Sequence, residues 1–252
     1  MGESIEVGEL IAVLSGKGGT GKTSVCAGIA AALAASGRRV LCIDCDVGLR
    51  NLDISLGLSD CPSLSFLEVC RGDYPLTQAT VHPQYPSLSF LTAPMNCSIE
   101  SIDAVSFGEL VFEARKVYDY ILLDAPAGVD AGFRLTSTYA DRCIIVTGPG
   151  PAAIRDAART GELLELMGKK NTRLIVNRVD KKMVSAMDLT IDDVMDTAGL
   201  PLLGVVPEDL NVTLAAAMGI PLQTYKPRSG AAKACRRIAN RIQGLPEPVA
   251  LR

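Results

Sequence analysis

The stretch from Leu10 to Thr23 reads LIAVLSGKGGTGKT, an apolar run, a glycine-rich loop and the first residues of a helical pattern. Gly16 to Thr23 fit the spacing G-x-x-x-x-G-K-[ST] of a phosphate-binding P-loop, and the loop lies between a predicted strand and a predicted helix. Glycines let successive backbone N–H groups turn toward one anion, and the N-terminus of the following helix adds its dipole. We expect Lys22 to reach the β- and γ-phosphates of a nucleotide and the Thr23 hydroxyl to bind Mg²⁺. The residues predicted to bind phosphate are Gly16, Lys17, Gly18, Gly19, Thr20, Gly21, Lys22 and Thr23.

Outward from this loop, short apolar runs alternate with helical patterns along the chain. The predicted strands are Leu10–Leu14, Val40–Ile43, Leu88–Leu91, Tyr120–Leu123, Cys143–Thr147, Arg173–Asn177 and Leu203–Val206. The predicted helices are Lys22–Ser36, Ser101–Lys116, Arg155–Met167, Ile191–Ala198 and Ala231–Ile242. Near-continuous apolar strands separated by helices are typical of an α/β fold with a doubly wound, mostly parallel sheet and helices on both faces. We predict a single P-loop ATPase domain over residues 1–252, with a short non-helical tail from about residue 244.

The composition and net charge of the chain exclude several classes of protein. The chain has 252 residues, of which 48% are hydrophobic and 21% charged, so it is neither disordered nor a coiled coil. Its net charge of −3 argues against a protein that binds nucleic acid through bulk positive charge, and nucleic acid is not an expected partner. Neither a membrane-spanning segment nor a signal peptide is recognisable, so we expect a cytoplasmic protein.

The eight cysteines are therefore expected to be reduced thiols. Cys42 and Cys45 form a Cys-x-x-Cys, but they lie three residues apart on a predicted strand and should point to opposite faces. We favour core packing over redox or metal chemistry for this pair.

Carboxylates follow two of the predicted strands. Asp44 and Asp46 come after the second strand, where a carboxylate can orient the attacking water or a water bound to a metal; capping of a turn is the alternative for these residues. Asp124 ends the apolar run Tyr120–Leu123, as in a Walker B element, and is expected to hold Mg²⁺ through a water. Asn177 and the loop Pro207–Asp209 follow two later strands, where a nucleotide base could lie, although Asn177 could equally cap a strand end.

These motifs together resemble a known family. After the P-loop come DVGLRNLD at 46–53, DAPAG at 124–128 and VPED at 206–209. They occur in the same order and at similar spacing in the MinD branch of the ParA/MinD family of deviant Walker A ATPases, the branch that determines the site of the bacterial division septum. The resemblance extends from about Leu10 to Gly244, and the GLRNLD run is its most specific element.

The resemblance implies an ATPase that converts ATP and water to ADP and phosphate and dimerises in the ATP state. It implies ATP and Mg²⁺ as ligands, a MinC-type inhibitor and a MinE-type or other activator as partners, and attachment to the inner face of the cell membrane. Lys17, the early lysine of the deviant loop, would reach the phosphates of the partner subunit, as an arginine finger does. Lys17, Lys22 and Asp46 would then be catalytic, with Asp46 positioning the water. Mg²⁺ would be bound by Thr23, Asp46 and Asp124. The adenine would be bound by Asn177, Pro207 and Asp209.

The chain departs from the family pattern in three places. Thr20 replaces a more usual Val, and Ala125 replaces a usual Ser. Residues 244–252 contain two prolines one residue apart, so we do not expect the basic amphipathic helix with which the family usually contacts the membrane. The preceding helix, Ala231–Ile242, is expected to be a docked surface helix.

Two alternatives come from related classes. One is a ParA-like positioning ATPase for chromosomes, plasmids or flagella. The other is an Fe–S carrier of the Mrp type, which needs a C-terminal Cys-x-x-Cys. We rank this carrier last because Cys235 is the only cysteine in the C-terminal region.

Overall fold

The computed structural model describes residues 7–95, 97–180, 182, 186 and 190–248. The strands are β1 Glu9–Leu14, β2 Val40–Asp44, β3 Thr80–His82, β4 Tyr85–Leu91, β5 Tyr120–Asp124, β6 Arg142–Thr147, β7 Thr172–Val179 and β8 Leu202–Pro207. The helices are α1 Lys22–Ala35, α2 Leu52–Leu56, α3 Phe66–Cys70, α4 Ala104–Val117, α5 Ala131–Tyr139, α6 Pro151–Leu166, α7 Ile191–Ala198, α8 Leu210–Ala217, α9 Leu222–Tyr225 and α10 Gly230–Ile242.

Within these residues, eight strands form one sheet in the order β3-β4-β2-β5-β1-β6-β7-β8. The central strand β1 pairs in parallel with β5 on one side and with β6 on the other. All neighbours are parallel except β3 and β4 at one edge. The carboxyl ends of the parallel strands therefore meet at one edge of the sheet, where doubly wound folds bind their ligands.

Both faces of the sheet are covered, as near-continuous apolar strands require. Ile11 and Val13 of β1 pack in the cluster that contains α1 and α10. Leu10 and Leu14 point the other way and join the clusters that contain helices α3 to α7. The predicted α/β architecture is confirmed.

The same alternation separates the two cysteines of the Cys-x-x-Cys. Cys42 packs in the cluster with α1, whereas Cys45 packs on the opposite face beside Phe66. Both side chains are fully buried and free of disulfides. The prediction that they point to opposite faces of the strand is confirmed.

Several element boundaries differ from prediction. Helix α4 begins three residues later than predicted, because Asp103 caps it by accepting a hydrogen bond from the Ser106 N–H. Helix α6 begins four residues earlier than predicted, with Pro151 at its first position, where proline loses no hydrogen bond. The short antiparallel strand β3 and the short helices α2, α3 and α9 were not predicted, and neither were α5 and α8. Apart from α5, which buries five of its nine residues, each buries too few residues to leave a clear period in the sequence.

Helix α10 is a docked helix, as predicted. Ile238 and Ile242 are buried against α1 and β8. Residues 245–248 are non-helical, and residues 249–252 of the predicted tail lie outside the described residues. Within the described part of the chain, no helix is long and apolar enough to cross a membrane.

Candidate nucleotide-binding site

The P-loop runs from the carboxyl end of β1 into α1 and forms an open cradle. Gly19 and Gly21 have backbone φ angles of 81° and 83°, in the left-handed region that favours glycine. A Cβ atom at Gly18 or Gly19 would meet no described atom within 4 Å, so this side of the loop is open. A Cβ at Gly16 would lie 2.7 Å from the Asp156 carbonyl oxygen, because α6 packs against the start of the loop.

A buried ion pair lies beneath this cradle. Lys22 Nζ is 2.6 Å from Asp124 Oδ1, and the two side chains are 6% and 1% exposed. Burial lowers the pKa of Lys22, but the carboxylate of Asp124 outweighs it and leaves the pKa above its ordinary value. Burial raises the pKa of Asp124, and the Lys22 ammonium group opposes that rise. The structure thus brings together the lysine and the Walker B carboxylate that the sequence singled out 102 residues apart.

The two carboxylates after β2 have different environments. Asp44 is buried, lies beside Asp124 in the strand register, and accepts hydrogen bonds from the backbone N–H groups of Asp46 and Leu52. Burial and the Asp124 carboxylate raise the pKa of Asp44 to about 7. Asp46 is half-buried and accepts a hydrogen bond from the Leu49 N–H. Asp46 thus remains accessible at the rim of the site, whereas Asp44 ties down the turn.

The donor set fits a phosphate with Mg²⁺. Lys22 Nζ donates to the Thr23 hydroxyl at 3.4 Å and to Asp124 at 2.6 Å, so a hydroxyl and a carboxylate converge where the loop becomes a helix. Mg²⁺ is usually held by one or two carboxylates, water and substrate phosphates, not by a cage made of protein alone. In agreement, no three His, Cys, Asp or Glu side chains of the described residues form a metal site. The hydroxyls of Ser15 and Thr20 are buried without partners beside the loop, as polar groups next to a ligand site can be.

A pocket opens beside the P-loop, between the carboxyl ends of β7 and β8. Its lining includes Gly21, Asn177, Val206, Pro207 and Asp209. The three residues predicted for the adenine therefore line one pocket, in the place that a base would take if the phosphates lay in the loop.

The Asn177 side chain also holds the P-loop in place. Its side-chain amide donates a 2.8 Å hydrogen bond to the Thr20 carbonyl oxygen, which fixes the P-loop against β7. A Cβ at Gly21 would lie 2.3 Å from that amide nitrogen, so Gly21 is required by close approach as well as by its φ angle. The strand end expected at Asn177 is wrong, because β7 continues to Val179. The Asn177 amide holds the loop itself.

The Asp209 carboxylate is already occupied by hydrogen bonds within the protein. It accepts from the backbone N–H groups of Asn211 and Ala231, so it caps α8 and binds the start of α10. These bonds leave it little capacity to pair with a base. Asp209 therefore lines the pocket and holds α8 and α10 in place around it.

Lys17 lies apart from the buried pair. Its ammonium group is 3.5 Å from Asp156 of α6, and both side chains are about half exposed. An exposed pair of this kind contributes little to stability, so Lys17 can leave it at small cost.

Sequence analysis missed Arg178 and named Glu208 only as part of the Pro207–Asp209 loop, without a role for its side chain. Arg178 Nε donates to Glu208 Oε2 at 2.9 Å, and both residues line the pocket. A charged pair 30 residues apart leaves no motif, although Glu208 lies inside the VPED run.

Comparison with known proteins agrees with this geometry. A sequence model of the CobQ/CobB/MinD/ParA nucleotide-binding domain matches residues 11–222. The septum site-determining protein MinD of Synechocystis is 38% identical over 241 residues, which cover 95% of this chain and 91% of that protein.

Solved structures are similar over nearly the whole chain. The MinC:MinD cell division protein complex of Aquifex aeolicus matches with a TM-score of 0.88 and 36% identity, covering 96% of this chain and 98% of that one. MinD of Pyrococcus horikoshii in complex with Mg-ADP matches with a TM-score of 0.82 and 30% identity, covering 93% and 95%. The chain belongs to the CobQ/CobB/MinD/ParA nucleotide-binding family and, within it, to the MinD proteins.

Proposed function

We propose that this protein is an ATPase that hydrolyses ATP to ADP and phosphate and uses the ATP-bound dimer as a switch in placing the division septum. The observation that carries the proposal is the buried Lys22–Asp124 pair at the base of an open glycine cradle. An ion pair removed from water in this way is costly unless further groups use its charge. A triphosphate with Mg²⁺ would do so.

Each residue then has a defined task in one domain. Backbone N–H groups of residues 16–23 and the Lys22 ammonium group bind the phosphates. Thr23 and Asp124 hold Mg²⁺, which when bound neutralises charge on the β- and γ-phosphates. Asp46, accessible at the rim, orients the attacking water. Lys17 leaves Asp156 and reaches the phosphates bound by the second copy of the chain, where it stabilises charge in the transition state.

Partner choice follows from the family. The Synechocystis relative is a septum site-determining protein, and the Aquifex neighbour forms a complex with MinC. We propose a MinC-type inhibitor as a partner of the ATP-bound dimer and release by an activator of hydrolysis. The protein would work in the cytoplasm, at the inner face of the cell membrane.

The ATPase proposal is tested with Lys22→Ala. We expect loss of Mg²⁺-dependent ATP hydrolysis, because the phosphates lose their buried cation. Thermal unfolding of the variant, followed by circular dichroism, checks that it still folds. A folded Lys22→Ala protein that hydrolyses ATP at the wild-type rate would contradict the proposal.

The action of Lys17 in the partner subunit is tested by mixing two inactive variants, Lys17→Ala and Asp46→Ala. In a mixed dimer, the Lys17→Ala subunit keeps Asp46 and receives Lys17 from its partner. An equal mixture should recover about a quarter of the wild-type rate, since random pairing gives half mixed dimers with one complete site each. No recovery at any mixing ratio would rule out this role of Lys17.

A further inference from the structure

Two consecutive residues at the end of β7 both bind the P-loop. The Asn177 side chain donates to the Thr20 carbonyl oxygen at 2.8 Å, and Arg178 donates through an outer guanidinium nitrogen to the Gly19 carbonyl oxygen at 3.3 Å. In a regular strand, successive side chains point to opposite faces of the sheet. Their common direction therefore needs a local change in the backbone.

The backbone of Arg178 supplies that change. Its φ angle is 59°, in the left-handed region that residues other than glycine rarely adopt. The pairing of β7 with β8 is also irregular between Val176 and Val179. Unfavourable backbone conformations persist where the surrounding structure fixes them, and they cluster at functional sites. The position thus keeps an arginine where glycine would be less strained.

The same guanidinium group lines the pocket between the carboxyl ends of β7 and β8, which we call the base pocket. While its outer nitrogen binds Gly19, Arg178 Nε donates to Glu208 at 2.9 Å. Glu208 belongs to the Pro207–Asp209 loop, which lines the pocket together with residues of β7. One side chain therefore connects the loop beside the base with the loop that surrounds the phosphates.

We propose that Arg178 is a positioning residue that couples occupation of the base pocket to the geometry of the P-loop. The inference rests on the proposed function, since it assumes that an adenine nucleotide lies across both sites. A base against the Pro207–Asp209 loop would fix Glu208, Glu208 would fix the guanidinium group, and Arg178 would hold the Gly19 carbonyl oxygen. Gly19 lies two residues from Lys17, so the coupling extends to the part of the loop that faces a second copy.

The test compares two ligands on one set of variants. Mg-ADP occupies the base pocket and the P-loop, whereas Mg-pyrophosphate occupies the P-loop alone, and calorimetry measures both affinities. In Arg178→Gly we expect Mg-ADP binding to weaken about fivefold, the size expected for a half-exposed charged pair. We expect pyrophosphate binding to weaken less. In Glu208→Gln, Mg-ADP binding should weaken while pyrophosphate binding stays at the wild-type value.

Arg178→Gly separates this role from a merely structural one. Glycine relieves the left-handed backbone, so the variant should melt at the wild-type temperature or above it while it binds Mg-ADP more weakly. Arg39→Ala is the matched control. Arg39 is a similarly exposed arginine paired with Asp119. It directly precedes β2, at the amino ends of the parallel strands, whereas the P-loop lies at their carboxyl ends.

The outcomes are distinct. Wild-type affinity for Mg-ADP in Arg178→Gly would overturn the inference, and so would equal weakening of both ligands, which would make Arg178 a support of the P-loop alone. Failure of the wild-type protein to bind Mg-ADP would instead contradict the proposed function.

Discussion

At the scale of single residues, the site is built on buried charge. Asp44, Asp124 and Lys22 lie together below the P-loop, so two carboxyl groups share one ammonium group. With both carboxylates ionised, one negative charge is uncompensated in a buried place. Burial and, after it, the neighbouring Asp124 carboxylate raise the pKa of Asp44 to about 7, and a cation such as Mg²⁺ nearby would reduce this repulsion.

This gives a pH-dependent prediction. The pKa of Asp44 is about 7 in the folded protein and near 3.8 in the unfolded chain, so the folded state binds the extra proton between these values. The free energy of unfolding should therefore rise as pH falls through 7. Between pH 8 and pH 5.5 the wild-type protein should gain about 2 kcal/mol relative to Asp44→Asn. Urea unfolding of both proteins at the two pH values measures the difference.

Contributions from groups that do not interact with Asp44 cancel in this comparison, provided that the variant keeps the fold. An Asp44→Asn protein whose stability follows pH in parallel with the wild type would show that Asp44 is ionised normally.

At this scale, the sequence predicted what a local motif encodes. Lys22 and Asp124 follow from the P-loop and from an apolar run ending in aspartate, and the structure joins them. The pKa of Asp44 and the contacts of Arg178 depend on residues far away in the chain. Residue spacing carries no record of such contacts, so they required the structure.

At the scale of elements, the packing of α1 on α10 sets the position of the P-loop helix. Gly28 of α1 allows Cys235 of α10 to approach closely, since a Cβ at Gly28 would lie 2.6 Å from Cys235 Sγ. Cys235 also lines the base pocket, so this helix contact borders the site. A glycine inside a helix weakens it by about 1 kcal/mol relative to alanine, and this packing gives a reason for its presence.

We predict that Gly28→Ala destabilises the protein by about 1–3 kcal/mol, because overpacking outweighs the gain in helix propensity. The same change made in a Cys235→Ala background should be neutral or stabilising, since the colliding sulfur is absent. Thermal and urea unfolding of the four proteins in this cycle measure the interaction. Equal effects of Gly28→Ala in both backgrounds would contradict the packing argument.

The predicted bounds of helices and strands are accurate for some elements and wrong for others. The strands β1, β5 and β6 were predicted to within a residue, because their apolar runs are continuous. Helix α6 was misplaced at its start, since Pro151 and two alanines carry no clear periodicity. Strand β3 has three residues at the edge of the sheet, too few for an alternating pattern.

At the scale of the whole molecule, the site exists only because distant segments meet. The P-loop, Asp124, Asn177 and the Pro207 loop come from four strands and belong to one sheet edge. Ligand binding should therefore stabilise the complete fold. With Mg-ATP at 100 times its dissociation constant, we expect about 2.7 kcal/mol of added stability.

The oligomeric state is best measured with Asp46→Ala, because this variant should bind ATP without hydrolysing it. Light scattering should show twice the chain mass with Mg-ATP and the mass of one chain with Mg-ADP. A single-chain mass in both states, under conditions where ATP is bound, would contradict the proposed switch.

The order of strands in the sheet has a consequence for synthesis of the protein. Strand β1 lies between β5 and β6, so its two neighbours are translated more than a hundred residues after it. A nascent chain leaves the ribosome with its glycine loop exposed long before Asp124 and Asn177 emerge. The candidate site is therefore incomplete during early synthesis, and the apolar strand β1 has neither of its strand partners until the later half of the chain has been made.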